Sequence, residues 1–382
     1  MNIQKLGNTE IKVVRLRDDL DLDLEEIVPI YSDQDKKIVL VKGENQAKVF
    51  ICYVKQNEYK VLTQFEEGDL DSLRIDYLND SLLTYEYFNE DVLSVGVIDW
   101  IKNSKEELYQ TKEDEEVLVL SPNYVLVKNA REAGFFEADT WHYDLEKEHI
   151  YLHDVLSKES YEILDHRLKD SFFTKYNYFL SKHNNSIHLM HVPYNKDPYE
   201  EEINFHNNQG SNDVICSIDI KTLIESLKDQ AKELSLDIIK ELQAYEFVFE
   251  NNNQGYLYYN FKDKVVKSCK IEHGEYQETG KAFNYTQVPQ LMDLAFVQNE
   301  FVYFDEGNTV FIDRDYHPIE HGLKDTFIAF DSNYYVFSSW TEDFEADLYE
   351  DWLIVRDVTG KIHHKEVGYA VYDQTLNLLF IL

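Results

Sequence analysis

Short apolar segments alternate with polar turns along most of the chain. The segments are rich in Val, Ile, Tyr and Phe, and the residues between them are mainly Asn, Asp, Gly and Lys, which is the pattern of short β-strands. Hairpin-like turns divide several pairs of segments, for example Lys182–Asn185, Glu306–Asn308 and Thr359–Lys361. The pattern therefore predicts a mainly β protein built as an antiparallel meander.

A weak internal repeat indicates how the strands are grouped. An aromatic residue recurs in similar strand-like segments at Tyr124, Tyr178, Tyr256, Phe301 and Tyr334, at spacings of 54, 78, 45 and 33 residues. Removing a helix of about 25 residues from the gap of 78 leaves about 53, close to the period of propeller blades, about 40–50 residues. We expect a β-propeller-like fold with six or seven blades. The alternative is a pair of abutting β domains.

One segment departs from the β pattern. Residues 219–244 carry apolar residues three and four apart, as on one face of an amphipathic helix, and Asp219 can cap its start. Two roles are open for this apolar face. It packs on the rim of a sheet, or it forms a partner or dimer interface through Leu223, Leu227, Leu234 and Ile238. Shorter helical pieces are expected at Asp99–Tyr109 and Lys158–Lys169.

The chain contains few residues of the kind that form linkers. It has 13 Gly and 6 Pro in 382 residues, and no segment is rich in Pro, Gly or Ser. We therefore expect one large β domain over residues 1–382, with the helix as an insertion. In a propeller, the C-terminal strand Leu376–Leu382 would pair into the first blade.

The charge is strongly negative. The chain has 73 Asp and Glu against 37 Lys and Arg, a formal net charge of −36, yet 14% of its residues are aromatic. Disordered chains combine high charge with few aromatic residues, so a packed core is expected. Phosphate contacts need Lys and Arg, so direct nucleic-acid binding is disfavoured, as is binding to an anionic membrane.

The cysteines and the length of the apolar segments indicate the cellular compartment of the protein. Cys52, Cys216 and Cys269 are few, odd in number and widely spaced, so we expect buried, reduced thiols in a cytoplasmic protein. The N-terminal residues do not have the pattern of a signal peptide. No apolar run approaches the ~18 residues of a membrane span.

Two acidic segments are the candidate partner-binding residues. Asp18–Glu26 alternates leucines with carboxylates, and Glu342–Asp351 interleaves aromatic and acidic residues. Such surfaces favour a basic protein partner, because complementary charge accelerates association. A charged edge strand or a solvated loop is the structural alternative. The residues predicted to bind the partner are Asp19, Asp21, Asp23, Glu25, Glu342, Asp343, Glu345 and Asp347.

Motifs for catalysis, metals and cofactors are not recognisable. The chain has no G-x-S-x-G elbow, no phosphate-binding loop and no dinucleotide fingerprint. The letters H-x-x-E-H at His317–His321 follow a strand-like segment rather than lying on a helix, so we treat the match as chance. No catalytic residue, metal site or cofactor is predicted. With 73 acids, paired carboxylates are guaranteed and carry little information.

Three functions remain open, and no family resemblance decides among them. The leading hypothesis is a non-catalytic acidic module that binds a basic protein, as an inhibitor, an immunity-type partner or an assembly component. The alternative is a carbohydrate-active or other hydrolytic enzyme on a propeller scaffold. The third is an oligomeric scaffold that assembles through the helix. The oligomeric state is not predicted.

Overall fold

A computed structural model describes most of the chain. The described residues are 3–15, 24–43, 45–66, 70–89, 92–112, 115–129, 134–137, 140–143, 149–168, 178–183, 186–193, 198–208, 210, 212–251, 255–272, 274–288, 291–305, 309–312, 317–343, 348–373 and 375–381.

Eight four-stranded sheets make up the described structure, together with one two-stranded hairpin and two short α-helices. The predicted β fold is confirmed, and each sheet has the strand number of a propeller blade. The expectation of six or seven sheets is wrong. Spacings between aromatic residues cannot detect a sheet whose central strands lack the recurring aromatic residue.

Strand contacts divide the chain into two compact units. The first contains Met1–Tyr77, Asp99–Ser104 and Asp293–Leu382, and the second contains Leu78–Ile98 and Lys105–Met292.

The first unit holds sheets A, B, G and H. Sheet A is β1 (Ile3–Lys5), β2 (Lys12–Arg15), β34 (Leu378–Ile381) and β33 (Ala370–Asp373); sheet B is β3 (Leu24–Ser32), β4 (Lys36–Gly43), β5 (Gln46–Tyr53) and β6 (Glu58–Phe65); sheet G is β25 (Leu294–Val297), β26 (Glu300–Asp305), β27 (Thr309–Ile312) and β28 (His317–Glu320); sheet H is β29 (Thr326–Phe330), β30 (Tyr334–Asp343), β31 (Leu348–Asp357) and β32 (Ile362–Val367).

The second unit holds sheets D, E and F, the hairpin, the helices and most of sheet C; Arg74–Tyr77, Asp99 and Ser104 of sheet C belong to the first unit. Sheet C is β7 (Arg74–Asn79), β8 (Leu82–Asn89), β9 (Val92–Asp99) and β10 (Ser104–Lys112); sheet D is β11 (Glu115–Ser121), β12 (Tyr124–Asn129), β15 (His149–Asp154) and β16 (Ser160–Glu162); the hairpin is β13 (Gly134–Glu137) and β14 (Thr140–Tyr143); sheet E is β17 (Tyr178–His183), β18 (Ser186–His191), β19 (Asp213–Asp219) and β20 (Asp237–Leu242); sheet F is β21 (Glu246–Glu250), β22 (Tyr256–Asn260), β23 (Val265–Glu272) and β24 (Glu275–Asn284); the helices are α1 (Pro198–His206) and α2 (Ile220–Lys228); single 3₁₀ turns lie at His166–Leu168, Tyr285–Gln287 and Leu291–Asp293.

Sheet A joins the two ends of the chain. β33 and β34 form an antiparallel hairpin, and β34 pairs with β2 in parallel, Lys12 opposite Leu378 and Val14 opposite Phe380. The predicted pairing of the C-terminal strand with an N-terminal strand is confirmed. Val13, Val14 and Leu379 of this sheet are each 0% exposed and form part of its apolar core.

Asp and Asn side chains close many of the turns between strands. Asp33 accepts hydrogen bonds from the amides of Asp35 and Lys36, and Asp331 accepts from those of Asn333 and Tyr334. The same arrangement recurs at Asn79, Asp99, Asp154 and Asp357. These side chains replace the missing backbone partner of a tight turn, so part of the acidic excess has a structural role.

The predicted helix over 219–244 is wrong in its second half. Asp219 does cap α2, accepting from the Thr222 amide at 2.9 Å. The helix ends at Lys228 because Gln230 takes a left-handed conformation at φ 59°, and the Ala231 amide bonds to the Ser226 carbonyl at 2.9 Å, a helix stop. The apolar spacing continues into β20, where it belongs to a strand.

A buried polar network holds the segment that follows α2. The Asp165 carboxylate accepts from the Leu234 amide at 2.8 Å and from Arg167, which also donates to the Leu234 carbonyl. Burial by itself would raise the pKa of Asp165, but the hydrogen bonds from Arg167 and Leu234 outweigh it and lower the pKa to about 2. The network fixes Leu234 in a turn rather than a helix.

The proposed helix interface is mostly core. Leu223, Leu227 and Leu234 are 0%, 2% and 4% exposed and pack in one cluster with residues of sheets D and E. Ile238 lies on β20 and is 43% exposed. Three of the four residues proposed for a partner or dimer interface therefore stabilise the second unit itself, which agrees with the other expectation, packing against a sheet.

The other helical expectations also change. The predicted piece at Asp99–Tyr109 is a turn followed by β10, and the one at Lys158–Lys169 contains β16 and a 3₁₀ turn. His317–Glu320 is β28, which agrees with treating the H-x-x-E-H match as chance.

The cysteines and the helices give two further observations. Cys52, Cys216 and Cys269 are free and buried, as predicted. No helix among the described residues is long and apolar enough to cross a bilayer.

Replacing Leu227 with Ala should separate a core role from an interface role. We expect L227A to lower the free energy of unfolding by about 2–5 kcal/mol because it leaves a cavity, with no change in sedimentation coefficient. The matched control I238A, at a half-exposed site, should cost less than about 1.5 kcal/mol. A variant L227A that keeps full stability but sediments more slowly would return the residue to an interface.

Candidate functional site

Three polar side chains meet in the first unit. The Ser32 hydroxyl donates to Asp373 Oδ2, and the Lys37 ammonium donates to the same oxygen. Lys37 Nζ also lies 3.3 Å from Ser32 Oγ. A serine hydroxyl is thus held between a cation and an anion, and we call these residues the Ser32 triad.

The strand arrangement explains why distant residues meet. Ser32 is the last residue of β3, and Lys37 lies directly opposite it on β4. Asp373 is the last residue of β33, and β33 packs beside β3. The edge strands β33 of sheet A and β3 of sheet B therefore end side by side and bring the triad together.

Local hydrogen bonds fix the carboxylate. Asp373 Oδ1 accepts from the Leu376 amide at 2.9 Å, which is a turn closed by the aspartate side chain. Oδ2 is then left for Ser32 and Lys37. The turn that leads into β34 therefore sets the orientation of the Asp373 carboxylate.

Burial makes the charges in the triad depend on each other. The Lys37 and Asp373 side chains are 2% and 4% exposed, and charges removed from water are retained only when they are paired and hydrogen-bonded. Burial by itself would raise the pKa of Asp373, but the charge of Lys37 and the hydrogen bonds from Lys37, Ser32 and Leu376 lower it. The resting site is an ion pair beside a neutral hydroxyl.

Ser32 is the accessible member of the triad. Its side chain is half-buried. Lys37, by contrast, is enclosed by core residues, and its Nζ lies 5.2 Å from the centre of the Phe380 ring. Cys52 lies close to Lys37, yet burial raises the pKa of its thiol to about 11 despite that cation. A thiol held protonated is a poor nucleophile, so the hydroxyl is the nucleophile candidate.

The arrangement has the parts that nucleophilic catalysis needs. A nucleophile, an acceptor for its proton and a third group that orients the acceptor lie within hydrogen-bond reach. The ammonium lowers the energy of an alkoxide at Oγ, and the carboxylate can accept the hydroxyl proton.

A second cluster of titratable groups lies beside α1. Glu202 contacts the Lys264 ammonium and accepts from the Tyr285 hydroxyl at 3.1 Å, and its Oε1 lies 3.7 Å from His206 Nε2. These groups satisfy one another and clamp α1 onto sheet F. Among the described residues, no three His, Cys, Asp or Glu side chains are placed to hold a metal ion.

Most of the residues predicted to bind a basic partner lie outside the part of the chain that the structure describes. Asp19, Asp21, Asp23, Glu345 and Asp347 lie outside the described residues. Glu25 lies in β3, and Glu342 and Asp343 end β30, but their side chains are not described. The binding role of all eight acids stays a prediction.

The triad could not be found from local sequence. Ser32 and Asp373 are separated by 341 positions, and Lys37 and Asp373 by 336. Lys37 lies at the start of β4, KKIVLVKG, where a lysine next to a second lysine and a turn resembles an exposed residue. The one available signal was Ser32 and Lys37 on either side of a short turn.

Known proteins resemble this chain in structure but not in sequence. No family model matches the sequence, and no curated protein matches it. Solved structures that resemble the chain include an oligogalacturonate lyase from Vibrio parahaemolyticus, with 10% identity over 92% of this chain and 84% of that one and a TM-score of 0.39.

Two further similar structures come from archaea. The β-propeller domain of the trilobed protease from Pyrococcus furiosus has 13% identity over 88% of this chain and 95% of that one, with a TM-score of 0.37. The acylaminoacyl peptidase from Pyrococcus horikoshii has 13% identity and a TM-score of 0.37, over 87% of this chain and 57% of that one. This chain therefore spans little more than half of that peptidase.

The leading functional hypothesis is wrong on this comparison. These similar proteins are a lyase, the propeller domain of a protease and a peptidase, whereas a non-catalytic acidic binding module was expected. The low similarity assigns no residue of this chain a role.

The buried ion pair should control the stability of the first unit. We expect D373N to lower the free energy of unfolding by about 3–5 kcal/mol, because Lys37 would keep its charge without a partner, and K37M/D373N to recover most of that loss.

The exposed pair Lys5–Glu10, with side chains 57% and 75% exposed, supplies the control. Its variant E10Q should change stability by less than about 1 kcal/mol. Denaturant titration measures all three variants. A D373N protein as stable as the wild type would contradict the account of the ion pair.

Proposed function

We propose that the protein is a hydrolytic enzyme that cleaves acyl bonds, with Ser32 as its nucleophile. The observation that carries this proposal is the position of the Ser32 hydroxyl, which bonds to the Asp373 carboxylate and lies 3.3 Å from the Lys37 ammonium. The accessible hydroxyl at the end of a strand, backed by two buried charges, supports it.

Each group has a defined role in the reaction. Ser32 Oγ attacks the acyl carbon of the substrate, and its proton passes to Asp373 Oδ2 as the new carbon–oxygen bond forms. The Lys37 ammonium stays protonated and stabilises the partial negative charge on Oγ as its proton leaves. As the new bond forms, the π electrons of the substrate carbonyl move to its oxygen and give a tetrahedral oxyanion. The carbonyl then re-forms, the bond from the acyl carbon to the leaving group breaks, and the proton moves from Asp373 to the leaving alcohol or amine.

The second half of the reaction repeats these steps with water. Asp373 accepts a proton from the water molecule that attacks the acyl-enzyme, and it returns that proton to Ser32 Oγ when the ester bond breaks. The products are a carboxylic acid and the free enzyme, so the proton balance closes without any further reactant.

Hydrolysis of p-nitrophenyl butyrate tests the role of Ser32. We expect S32A to lower kcat/KM by about three orders of magnitude or more, as loss of a serine nucleophile does, while thermal stability changes little. The matched control is S81A, since Ser81 is another half-buried serine in a hairpin turn and bonds to Asn79 at 2.9 Å. Unchanged hydrolysis by S32A, or none by the wild type, would contradict the proposal.

The pH profile of the same reaction identifies the base. The Asp373 carboxylate must be ionised to accept a proton, and its pKa is lowered from the ordinary value of 3.8. The rate should therefore be level above about pH 5 and fall only as the pH drops through the lowered pKa. A rate that keeps rising into the alkaline range would instead assign the base to a deprotonated amine.

A further inference from the structure

A series of hydrogen bonds connects the β25–β26 turn to the turn that carries Asp373. The Gln298 side chain bonds to Phe330 in both directions, because its Oε1 accepts from the Phe330 amide at 2.7 Å and its Nε2 donates to the Phe330 carbonyl at 2.9 Å. Gln298 also forms a hydrogen bond with the Tyr372 hydroxyl. That hydroxyl donates to Asn377 Oδ1 at 2.6 Å. We call Gln298, Tyr372 and Asn377 the Tyr372 clamp.

The central residue of the clamp is held by the core and keeps its proton. Tyr372 lies in one apolar cluster with Ala329 and Val336 of sheet H. Burial and the nearby charge of Asp373 raise the pKa of the Tyr372 hydroxyl to about 12, although the hydrogen bond from Gln298 opposes them. The hydroxyl is therefore a hydrogen-bond donor at neutral pH. Among the described residues, Lys37 on β4 and Tyr372 itself are the titratable groups in electrostatic contact with Asp373.

Asn377 ends the β33–β34 turn in a conformation that few residue types adopt. It lies directly before β34 with φ 51°, in the left-handed region that favours glycine and tolerates asparagine. The preceding residue, Leu376, donates its amide to Asp373 Oδ1 at 2.9 Å. The hydrogen bond from Tyr372 therefore fixes the residue next to the one that binds the carboxylate.

The clamp and the ion pair hold β33 from its two faces. Tyr372 and Asp373 are consecutive residues of this strand, and consecutive side chains leave a strand on opposite faces. Tyr372 faces the cluster shared with sheet H, whereas Asp373 bonds to Ser32 and Lys37 of sheet B. A movement of the turn that separates the Leu376 amide from Asp373 Oδ1 would also break the bond between Tyr372 and Asn377.

Resting on the proposed function of Ser32, we propose that Tyr372 and Asn377 are positioning residues for Asp373. They hold the turn closed, so that the Leu376 amide occupies Oδ1 and the carboxylate presents Oδ2 to Ser32. Gln298 fixes the Tyr372 hydroxyl relative to sheet H through its two bonds with Phe330. The rate of acyl transfer then depends on residues that act through Asp373 rather than on the substrate.

Two substitutions release the turn and leave the Ser32 triad intact. Y372F removes the hydroxyl and keeps the ring in the core, and N377G removes the acceptor and keeps the left-handed backbone. We expect each to lower kcat for p-nitrophenyl butyrate about 10-fold with KM unchanged, because a displaced carboxylate impairs the chemical step rather than binding. A carboxylate that loses a hydrogen bond has a higher pKa, so the fall in rate at acid pH should begin at a higher pH than in the wild type.

The matched controls are Y259F and N208G, both in the second unit. Tyr259 is a buried tyrosine whose hydroxyl donates to the Leu291 carbonyl at 3.2 Å, and Asn208 is left-handed with φ 57°. Neither control should change kcat or the pH profile. An equal fall in kcat in Y259F would overturn the positioning role, and so would a fall in Y372F and N377G that leaves the acid side of the profile in place.

A measurement without substrate separates this inference from the function of Ser32. The carboxyl carbon of Asp373 is titrated by NMR, with its signal assigned by its absence in D373N, and the titration should move to higher pH in Y372F and N377G but not in Y259F. If it moves while the wild type hydrolyses no ester, the clamp positions Asp373 and the proposed function of Ser32 is wrong. If the wild type hydrolyses the ester through Ser32 and neither the titration nor kcat changes in Y372F and N377G, the positioning role is wrong and the proposed function stands.

Discussion

The buried ion pair between Lys37 and Asp373 is the interaction on which the seam between sheets A and B depends. Moving each charge out of water costs several kcal/mol, and only a close, hydrogen-bonded partner compensates for it. The pair forms only when β3, β4 and β33 are in place. Since Ser32 and Lys37 lie near one end of the chain and Asp373 near the other, the candidate site exists only after sheet A has joined the two ends.

The excess of acidic residues has more structural roles than composition indicates. Carboxylates close turns at Asp33, Asp331 and Asp357 in a chain that has only 13 glycines and 6 prolines. Many of the lysines lie over tyrosine or tryptophan rings, as Lys240 does between Tyr258 and Tyr276. Both uses fix side chains within the fold. The net charge therefore does not by itself identify a surface for a basic partner, although such a partner would still be attracted.

Short apolar segments separated by polar turns were enough to predict the antiparallel strands, and the C-terminal strand was correctly paired with an N-terminal one. The length of α2 was not predictable from spacing, because the stripe from Leu223 to Ile238 passes without interruption from a helix through a turn into a strand. Only the left-handed Gln230 and the contacts of Asp165 with Leu234 end the helix. The Ser32 triad was not predictable for another reason: the packing of sheet A beside sheet B brings Asp373 to Ser32 and Lys37 across more than 300 positions, and no local motif records that.

The central claim is that the Ser32 hydroxyl is activated by its two buried neighbours, and covalent labelling tests it most directly. The folded protein would be treated with a fluorophosphonate, which reacts with activated serines, and the modified peptide located by mass spectrometry. The account predicts a single adduct at Ser32 that is absent in D373N and after unfolding. An unlabelled protein, or labelling spread over several surface serines, would contradict it and leave the triad as a structural contact between two sheets.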